Sequence, residues 1–470
     1  HNDCSTNSLV LNNINSSNRR YNMNPSQTAP VYSYRQIWNV AYPILISLVM
    51  EQMIGMTDTA FMGRVGEVEL GASAIAGIYY MVIFMIGFGF SIGSQIIIAR
   101  RNGEGNFRET GNVFYHGVCF LLGLAALMVV LSEIISPWLM GRLVSSGAVA
   151  EAALSYVKWR LPGLFFAYVT VMFRAFYVGT TQTKTLTLNS VTMVLSNVVF
   201  NWIFVFGKFG VPALGIAGAA IGSTLAELVS LIFFIVYTVT RTDCRKYGLD
   251  RFGGFRFRKL RDILSVSVWT MVQNAVSIST WFIFFLFIEH LGERSLAISN
   301  IIRNVSGLIW MVLMAFASTC SSLVSNIIGN GYQNSVRGLV VRILKLSYCS
   351  VAVIAVLISL FPETVIRIYT NIPDLVGASV PSLHVMCSAY LLTVPANIFF
   401  QAVSGTGNTR TAFLLELMAL FVYMIYCWFI MHVVRADVAV CWTAEHVYGS
   451  AMMLLCGGYL LSGRWKGRVI

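Results

Sequence analysis

Two carboxylic acids stand inside the apolar stretch YPILISLVMEQMIGMTDTAF, residues 42–61: Glu51 and Asp58. Seven residues separate them, two helical turns or about 10 Å along one face, so both can line one wall. An unpaired charge at mid-bilayer costs at least about 2.5 kcal/mol, so acids in such places face a cavity or titrate. Desolvation favours the neutral carboxyl, which allows a switch that holds a proton or a cation in one state and releases it in another. The alternative for each acid is a fixed ion pair with a buried arginine such as Arg174 or Arg303. A second polar set lies in NSVTMVLSNVVFNWIFVFG, residues 189–207, with Asn189, Asn197 and Asn201. Asn197 and Asn201 are four apart and share a helix face. Their amide oxygens can coordinate Na⁺ or bond a carboxylic acid, although a membrane Asn also serves simply to join helices. Thr224 and Tyr156 are further candidates for the same ion or proton site, and Glu416 and His384 read as satisfied bundle residues. Met50, Met53, Met56 and Met62 gather about the first acids, with Gln52 among them. Flexible, polarizable methionines suit varied apolar ligands in a substrate cleft, and are equally ordinary lipid-facing filler.

The elements that must carry these residues are membrane helices. The 470 residues are 57% hydrophobic and 11% charged, with a mean hydropathy of +0.71, whereas a soluble domain carries roughly a quarter charged residues. Long apolar runs recur at the ~20 residues a spanning helix needs, without the alternation of a membrane barrel. Cutting at polar and Gly-rich loops predicts spans at roughly 36–62, 70–99, 112–139, 152–179, 187–207 and 215–240. Six more are predicted at roughly 263–289, 295–328, 339–361, 381–404, 411–433 and 439–461. The fold class is therefore all-α integral membrane, with twelve transmembrane helices.

The formal charge of +12 gathers in alternate loops rather than in a patch for nucleic acid. Arg100, Arg101 and Arg108 follow span two, eight Lys and Arg crowd residues 241–262, and Arg464, Lys466 and Arg468 close the chain. The positive-inside rule makes that side cytoplasmic and puts both termini inside. The domain reading is a disordered cytoplasmic lead-in at 1–35, an N-lobe at 36–240, a basic linker at 241–262, a C-lobe at 263–461 and a basic tail at 462–470. Within the lead-in, Met23 opens a plausible start, so part of the lead-in is expected not to belong to the native chain. The nine cysteines fall mostly singly in apolar runs, which excludes a zinc or disulfide framework.

An internal repeat organises the rest. At an offset of 226, GEVELGASAI (66–75) lines up with GERSLAISNI (292–301), RNGEGN (101–106) with IIGNGY (327–332), and GTTQTKT (179–185) with GTGNTRT (405–411). Three loops sharing one offset make the halves two copies of a six-helix bundle, parallel because six is even. Two such bundles around a central cleft have the geometry of alternating access. The copies differ in chemistry, since at that offset Asp58 falls on Phe284 and Glu51 on Ser277. GFSIG, residues 89–93, fits the G-x-S-x-G pattern of a nucleophile elbow around Ser91. That elbow needs a strand-to-helix turn, and Gly87, Gly89 and Gly93 are spaced for close helix contact instead. No HExxH or P-loop pattern supports a protease or an ATPase. Catalysis is not expected, and pumping would have to draw on an ion gradient.

These residues together resemble the multidrug and toxic compound extrusion (MATE) family. The resemblance is carried by AYPILISLVMEQMIGMTDTAFMGRVG with its Asp-Thr, the RNGEGN loop, RAFYVGTTQTKT, NVVFNWIFVFG and LGIAGAAIGS, and it spans residues 36–461. It implies two lobes, export of lipophilic and often cationic compounds from the plasma membrane (a bacterial inner membrane), and exchange against H⁺ or Na⁺. It implies no other cofactor, drugs or toxic metabolites and membrane lipids as partners, no nucleic acid, and a monomer. By position, Asp58 matches the family's first-lobe coupling carboxylate and Asn197 a partner on span five. Asn201 falls where some members carry Asp, Ser277 where several have a span-seven acid, and Thr393 where some have a span-ten Asp. These departures favour a branch that couples through the first lobe, like the one named for DNA-damage-inducible protein F. The rivals are a lipid-linked oligosaccharide flippase of the same superfamily, which needs a strongly cationic cleft, and an intramembrane hydrolase.

Overall fold

In the computed structural model, residues 32–144, 146–251, 253–370 and 372–467 are described. Helix α1 (Tyr34–Val65) starts at a capping box, with Gln36 N donating to Ser33 Oγ at 3.2 Å and Ser33 N to Gln36 Oε1 at 2.8 Å. Those reciprocal bonds satisfy donors that a helix start otherwise leaves open. The helix therefore begins inside the expected lead-in, whose residues 1–31 lie outside the described residues. Pro43 sits within α1 and cannot donate to the carbonyl four residues back. Thr183 Oγ1 donates to that carbonyl, Asn39 O, at 3.5 Å and to Val40 O at 3.0 Å, and Thr187 Oγ1 to Pro43 O at 3.2 Å. The irregular backbone of α1 is thus satisfied by its neighbour α6.

The first half continues with α2 (Glu67–Gly103), α3 (Phe107–Leu143), α4 (Gly147–Arg160), α5 (Gly163–Gly179), α6 (Lys184–Phe206) and α7 (Gly215–Arg241). The second half has α8 (Phe257–Glu289), α9 (Glu293–Gly329), α10 (Val336–Leu360), α11 (Pro373–Gly405), α12 (Thr409–Trp428, running on as a π-helical turn at Phe429–Val434) and α13 (Ala444–Ser462). The expected span four is broken: α4 and α5 meet at a 53° bend. Pro162 at the junction lacks the N–H that would carry the ladder through. Span ten begins eight residues earlier than expected, at Pro373, and carries Pro381 inside the helix. Span twelve is delayed, because a short turn at Val438–Cys441 precedes α13. Ten described helices are long and apolar enough to cross a bilayer, and the bent pair makes an eleventh. The twelfth, α13, opens with Glu445 and His446 and packs against α11 and α12.

The linker is shorter than 241–262 and packed rather than loose. It contains a helical turn at Cys244–Tyr247 and clasps α3. Tyr115 Oη donates to Leu249 O at 2.5 Å and Arg256 N to His116 Nε2 at 3.0 Å, and just beyond the linker Lys259, in the first turn of α8, pairs with Glu109 at 2.7 Å. The end of the molecule that holds this segment also holds the C-termini of α2, α5, α9 and α11, and is called here the linker end.

The halves meet along α2, which packs on α8 and α9. Close approach needs glycine: a Cβ on Gly89 would lie 2.8 Å from Met271 Cα and 3.0 Å from Thr270 O. Toward the linker end a set of hydrogen bonds ties the halves. Gln95 Nε2 donates to Ser321 Oγ at 3.4 Å, Ser325 Oγ to Ile96 O at 2.7 Å, and Ser322 Oγ to Val178 O at 2.6 Å. Asn102 Nδ2 donates to Asn326 Oδ1 at 2.7 Å, Arg100 Nη2 to Thr406 O at 2.9 Å, and Asn326 Nδ2 to Gly179 O at 2.9 Å. Two of the three loop pairs that reveal the repeat in sequence, those at 101–106 with 327–332 and 179–185 with 405–411, thus lie where the halves meet, and Gln95 bonds its own repeat equivalent, Ser321, 226 residues on. Among the described residues, no hydrogen bond joins the halves on the far side of Thr270 and Gly89. There α1 turns open: its buried residues run from Ile37 to Ser47, and beyond them only Met62 is buried.

Candidate functional site

Asp58 lies in the open half of α1, and its two oxygens are held by neutral donors from two other helices. Asn201 Nδ2 on α6 donates to Oδ1 at 2.5 Å, and Ser223 Oγ on α7 donates to Oδ2 at 3.1 Å. Asn197 closes the ring: its Nδ2 donates to Ser223 Oγ at 3.1 Å, and its Oδ1 accepts from Asn201 Nδ2 at 3.2 Å. Both amides are fully buried while Asp58 is half-buried. The one-turn spacing of Asn197 and Asn201 places both on the face that α7 covers. Gly222 makes that contact possible, since a side chain there would collide with Asn201 Oδ1. That oxygen is buried and accepts no hydrogen bond.

Beside this ring lies a second layer. Arg160, the last residue of α4, grips Glu227 of α7 through two hydrogen bonds, Nη1 to Oε2 at 2.7 Å and Nη2 to Oε1 at 2.5 Å. Tyr80 Oη reaches both Glu227 oxygens at 3.4 Å, and the Arg160 guanidinium stacks 4.0 Å above the Tyr80 ring. Tyr156, one turn before Arg160, hydrogen bonds to it, and the charges of Arg160 and Asp58 act on one another across the boundary between the layers. Arg160 and Glu227 neutralise each other, which leaves Asp58 as the carboxylate of this region without an ion pair among the described residues.

The structure brings together Asp58, Asn197, Asn201 and, in the adjoining layer, Tyr156. Thr224 turns away, donating to Trp159 O at 3.1 Å. Glu51 takes the ion-pair alternative: Arg174 Nη1 lies 3.0 Å from its Oε1, and Ser47 Oγ donates to the same oxygen at 3.2 Å. It shares a helix with Asp58 but answers to α5, not to α6 and α7. Gln52, Met53 and Met56 are exposed. Met53 and Met56 line a groove along α1 with Thr57, Ala60, Phe61 and Arg64, while Met62 is core. In the second half, Glu416 accepts from Ser277 Oγ at 2.6 Å, His384 Nε2 lies 3.2 Å from Ser359 O, and Thr393 bonds back to Ala389 O. Arg303 lies over the Phe285 ring. GFSIG is wholly helical within α2, with Ser91 Oγ donating to Phe88 O at 2.7 Å, so it lacks the turn an elbow needs. Among the described residues no three His, Cys, Asp or Glu gather as a metal site.

Sequence reading missed Ser223, Arg160, Glu227 and Tyr80. Glu227 was within reach, being an acid inside a predicted span four residues after Ser223. Arg160 lies within the predicted span at 152–179, next to Leu161 and Pro162, and only the bend between α4 and α5 shows that it turns toward Glu227.

Comparison with known proteins bears on this geometry. The MatE family model matches residues 43–203 and again residues 270–429. A probable multidrug resistance protein NorM of Thermotoga maritima is 23% identical over 443 residues, 93% of this chain and 94% of that protein. The multidrug resistance protein NorM of Photobacterium profundum is 24% identical over 405 residues, 81% of this chain and 83% of that protein. Among solved structures, a Vibrio cholerae MATE transporter mutant superposes with a TM-score of 0.83 at 15% identity, over 92% of this chain and 98% of that one. A MOP superfamily transporter from Pyrococcus furiosus superposes with a TM-score of 0.79 at 18% identity, over 92% and 95%.

Proposed function

Because one family model matches both of its halves, the chain belongs to the MATE family, and from that premise we propose that it exports lipophilic, cationic compounds in exchange for H⁺ or Na⁺ bound at Asp58. The observation that carries this reading is the setting of Asp58: a carboxylate within the spans, held by Asn201 and Ser223, with no cation hydrogen-bonded to it among the described residues. The relatives' designation as multidrug resistance proteins supports the substrate class.

A proton at Asp58 changes what its neighbours must do. The ionised carboxylate only accepts hydrogen bonds, and the acid donates one. Asn201 Oδ1, the buried acceptor that now has no donor, lies in the same ring. Protonation therefore favours a rearranged ring in which Asp58 donates and α1, α6 and α7 repack. Ionised Asp58 attracts a cationic drug to the open half of α1, where Met53 and Met56 offer an apolar, deformable wall. With the basic loops cytoplasmic, the open end faces outward and the linker end is the closed inner gate, so neutralising Asp58 from outside expels the drug on the side where the ion is taken up.

A flippase for a pyrophosphate-linked lipid needs free cations in the cleft. Of the arginines described within the spans, Arg160 is engaged by Glu227, Arg174 by Glu51 and Arg100 by Thr406 O, which leaves Arg303, lying over the Phe285 ring, as a lone cation rather than a cationic cleft. The test of the export reading is ethidium efflux in vesicles with imposed pH or Na⁺ gradients. Native protein responds to one of the two gradients, and Asp58→Asn folds but no longer responds. Gradient-driven efflux at the native rate in that variant would refute the assignment.

A further inference from the structure

The repeat also relates two polar nodes deeper in the bundles. In the first half, Ser47 of α1 shares a 2.7 Å hydrogen bond with Ser190 of α6 and donates to Glu51. At the offset of 226, these three positions become Gln273, Glu416 and Ser277. In the second half the same positions meet again: Ser277 Oγ donates to Glu416 Oε1 at 2.6 Å, and Gln273 Nε2 to Ser277 Oγ at 3.3 Å. The acid and a serine have exchanged helices, but each node holds one carboxyl.

The nodes differ in how that carboxyl is neutralised. Glu51 is half-exposed and salt-bridged to Arg174. The repeat equivalent of Arg174 is Phe400, and Glu416 is 3% exposed. Facing Glu416 from α8 are Ser277 and Gln273, and from α13 Tyr448, whose Oη lies 3.3 Å from Oε1, and Cys456. Glu445, the nearby acid on α13, is engaged by Tyr423 of α12 at 3.4 Å, and α11 sends no ionic partner to Glu416. No Lys, Arg or His among the described residues pairs with Glu416, and its Oε2 is buried without any partner. An ionised carboxylate in such a place would leave a full buried charge uncompensated. A carboxylic acid needs no cation, and its proton can sit on the oxygen that no donor reaches.

We propose that Glu416 is a second proton-binding site, built at the repeat equivalent of the Glu51 node and lacking that node's arginine. It binds its proton with the second bundle packed as described, and gives it up when α8, α12 and α13 part enough to admit water. One half then carries an acid fixed by arginine and the other an acid that must be protonated, in addition to Asp58.

The test is infrared spectroscopy of the full chain in lipid, following the carbonyl stretch of protonated carboxylic acids during pH titration. Asp58→Asn sets that residue's own contribution aside, so this outcome is separate from the fate of the export reading. We expect a band that persists at neutral pH in native protein and in Asp58→Asn and disappears in Glu416→Gln. Ser277→Ala, which removes the 2.6 Å donor and keeps the acid, is expected to shift that band to higher frequency without abolishing it. A spectrum unchanged by Glu416→Gln in folded protein overturns the proposal. Should that variant fail to fold, a band that does not move in Ser277→Ala overturns it equally.

Discussion

Arg160 and Glu227 hold one another by two short bonds, with side chains only 11% and 8% exposed. Removing one partner of a buried pair strands the other charge, at a cost of about 3–5 kcal/mol, whereas replacing both with apolar residues of similar volume is often tolerated. Glu227→Gln should therefore lower the thermal unfolding temperature in detergent strongly, and Arg160→Met with Glu227→Leu should recover much of the loss. If the single variant melts like the native protein, the pair is not structural. The same residues show what sequence can and cannot disclose about a site. Asp58, Asn197 and Asn201 were legible because an acid or a pair of amides in an apolar run is costly and demands a reason. Ser223 was not, since a serine in a membrane helix is cheap and common, and only the approach of α7 through Gly222 makes it a ligand of Asp58. Glu51 was left between two readings because no local pattern says whether an arginine 123 residues away, Arg174, will reach it.

At the scale of elements, α1 depends on α6 for more than the Asp58 ring. Thr183 and Thr187 donate to the carbonyls of Asn39, Val40 and Pro43, where Pro43 has thinned the helix ladder. A hydrogen bond of this kind contributes about 1 kcal/mol, and an abandoned buried carbonyl costs somewhat more. Thr183→Val keeps the shape and removes the donor, so it should destabilise the protein by about 1–2 kcal/mol, read from denaturant or thermal unfolding in lipid-like detergent. No change would mean that the carbonyls find other partners. Hydropathy located the helices because a bilayer imposes length and apolarity on every span. It did not locate the break between α4 and α5, because the apolar run from Leu161 onward, joined to Ala152–Val157 across Lys158 and Arg160, is long enough to pass as one span. It also could not tell that the linker, rich in charge in sequence, is clasped to α3 through Tyr115 and His116.

For the whole molecule, the linker-end seal sets which side is open. Asn326 is bonded there to Asn102, to Gly179 O and to Ser322 O. Two of those bonds cross between the halves, and at about 1 kcal/mol each their loss is large against the few kcal/mol that separate alternate conformers. Asn326→Ala should raise the population with the linker end parted. Spin labels placed at Glu104 and Asn334, exposed positions in opposite halves, would report it as a growing long-distance component, and an unaltered distance distribution would show that the seal rests on packing alone.

The contact of Gln95 with Ser321 has a further consequence. A residue meets its own repeat equivalent only on a two-fold axis, which is the geometry of an isologous contact between identical subunits. Two separate identical copies would be bound to carry the same residue on both sides of that axis and the same polar node in both bundles. One continuous chain lifts that restriction, so a glutamine can face a serine, and an acid held by arginine in one bundle can be matched in the other by an acid with no arginine at all. Asymmetric chemistry on a symmetric frame is what the covalent joining of the halves makes available.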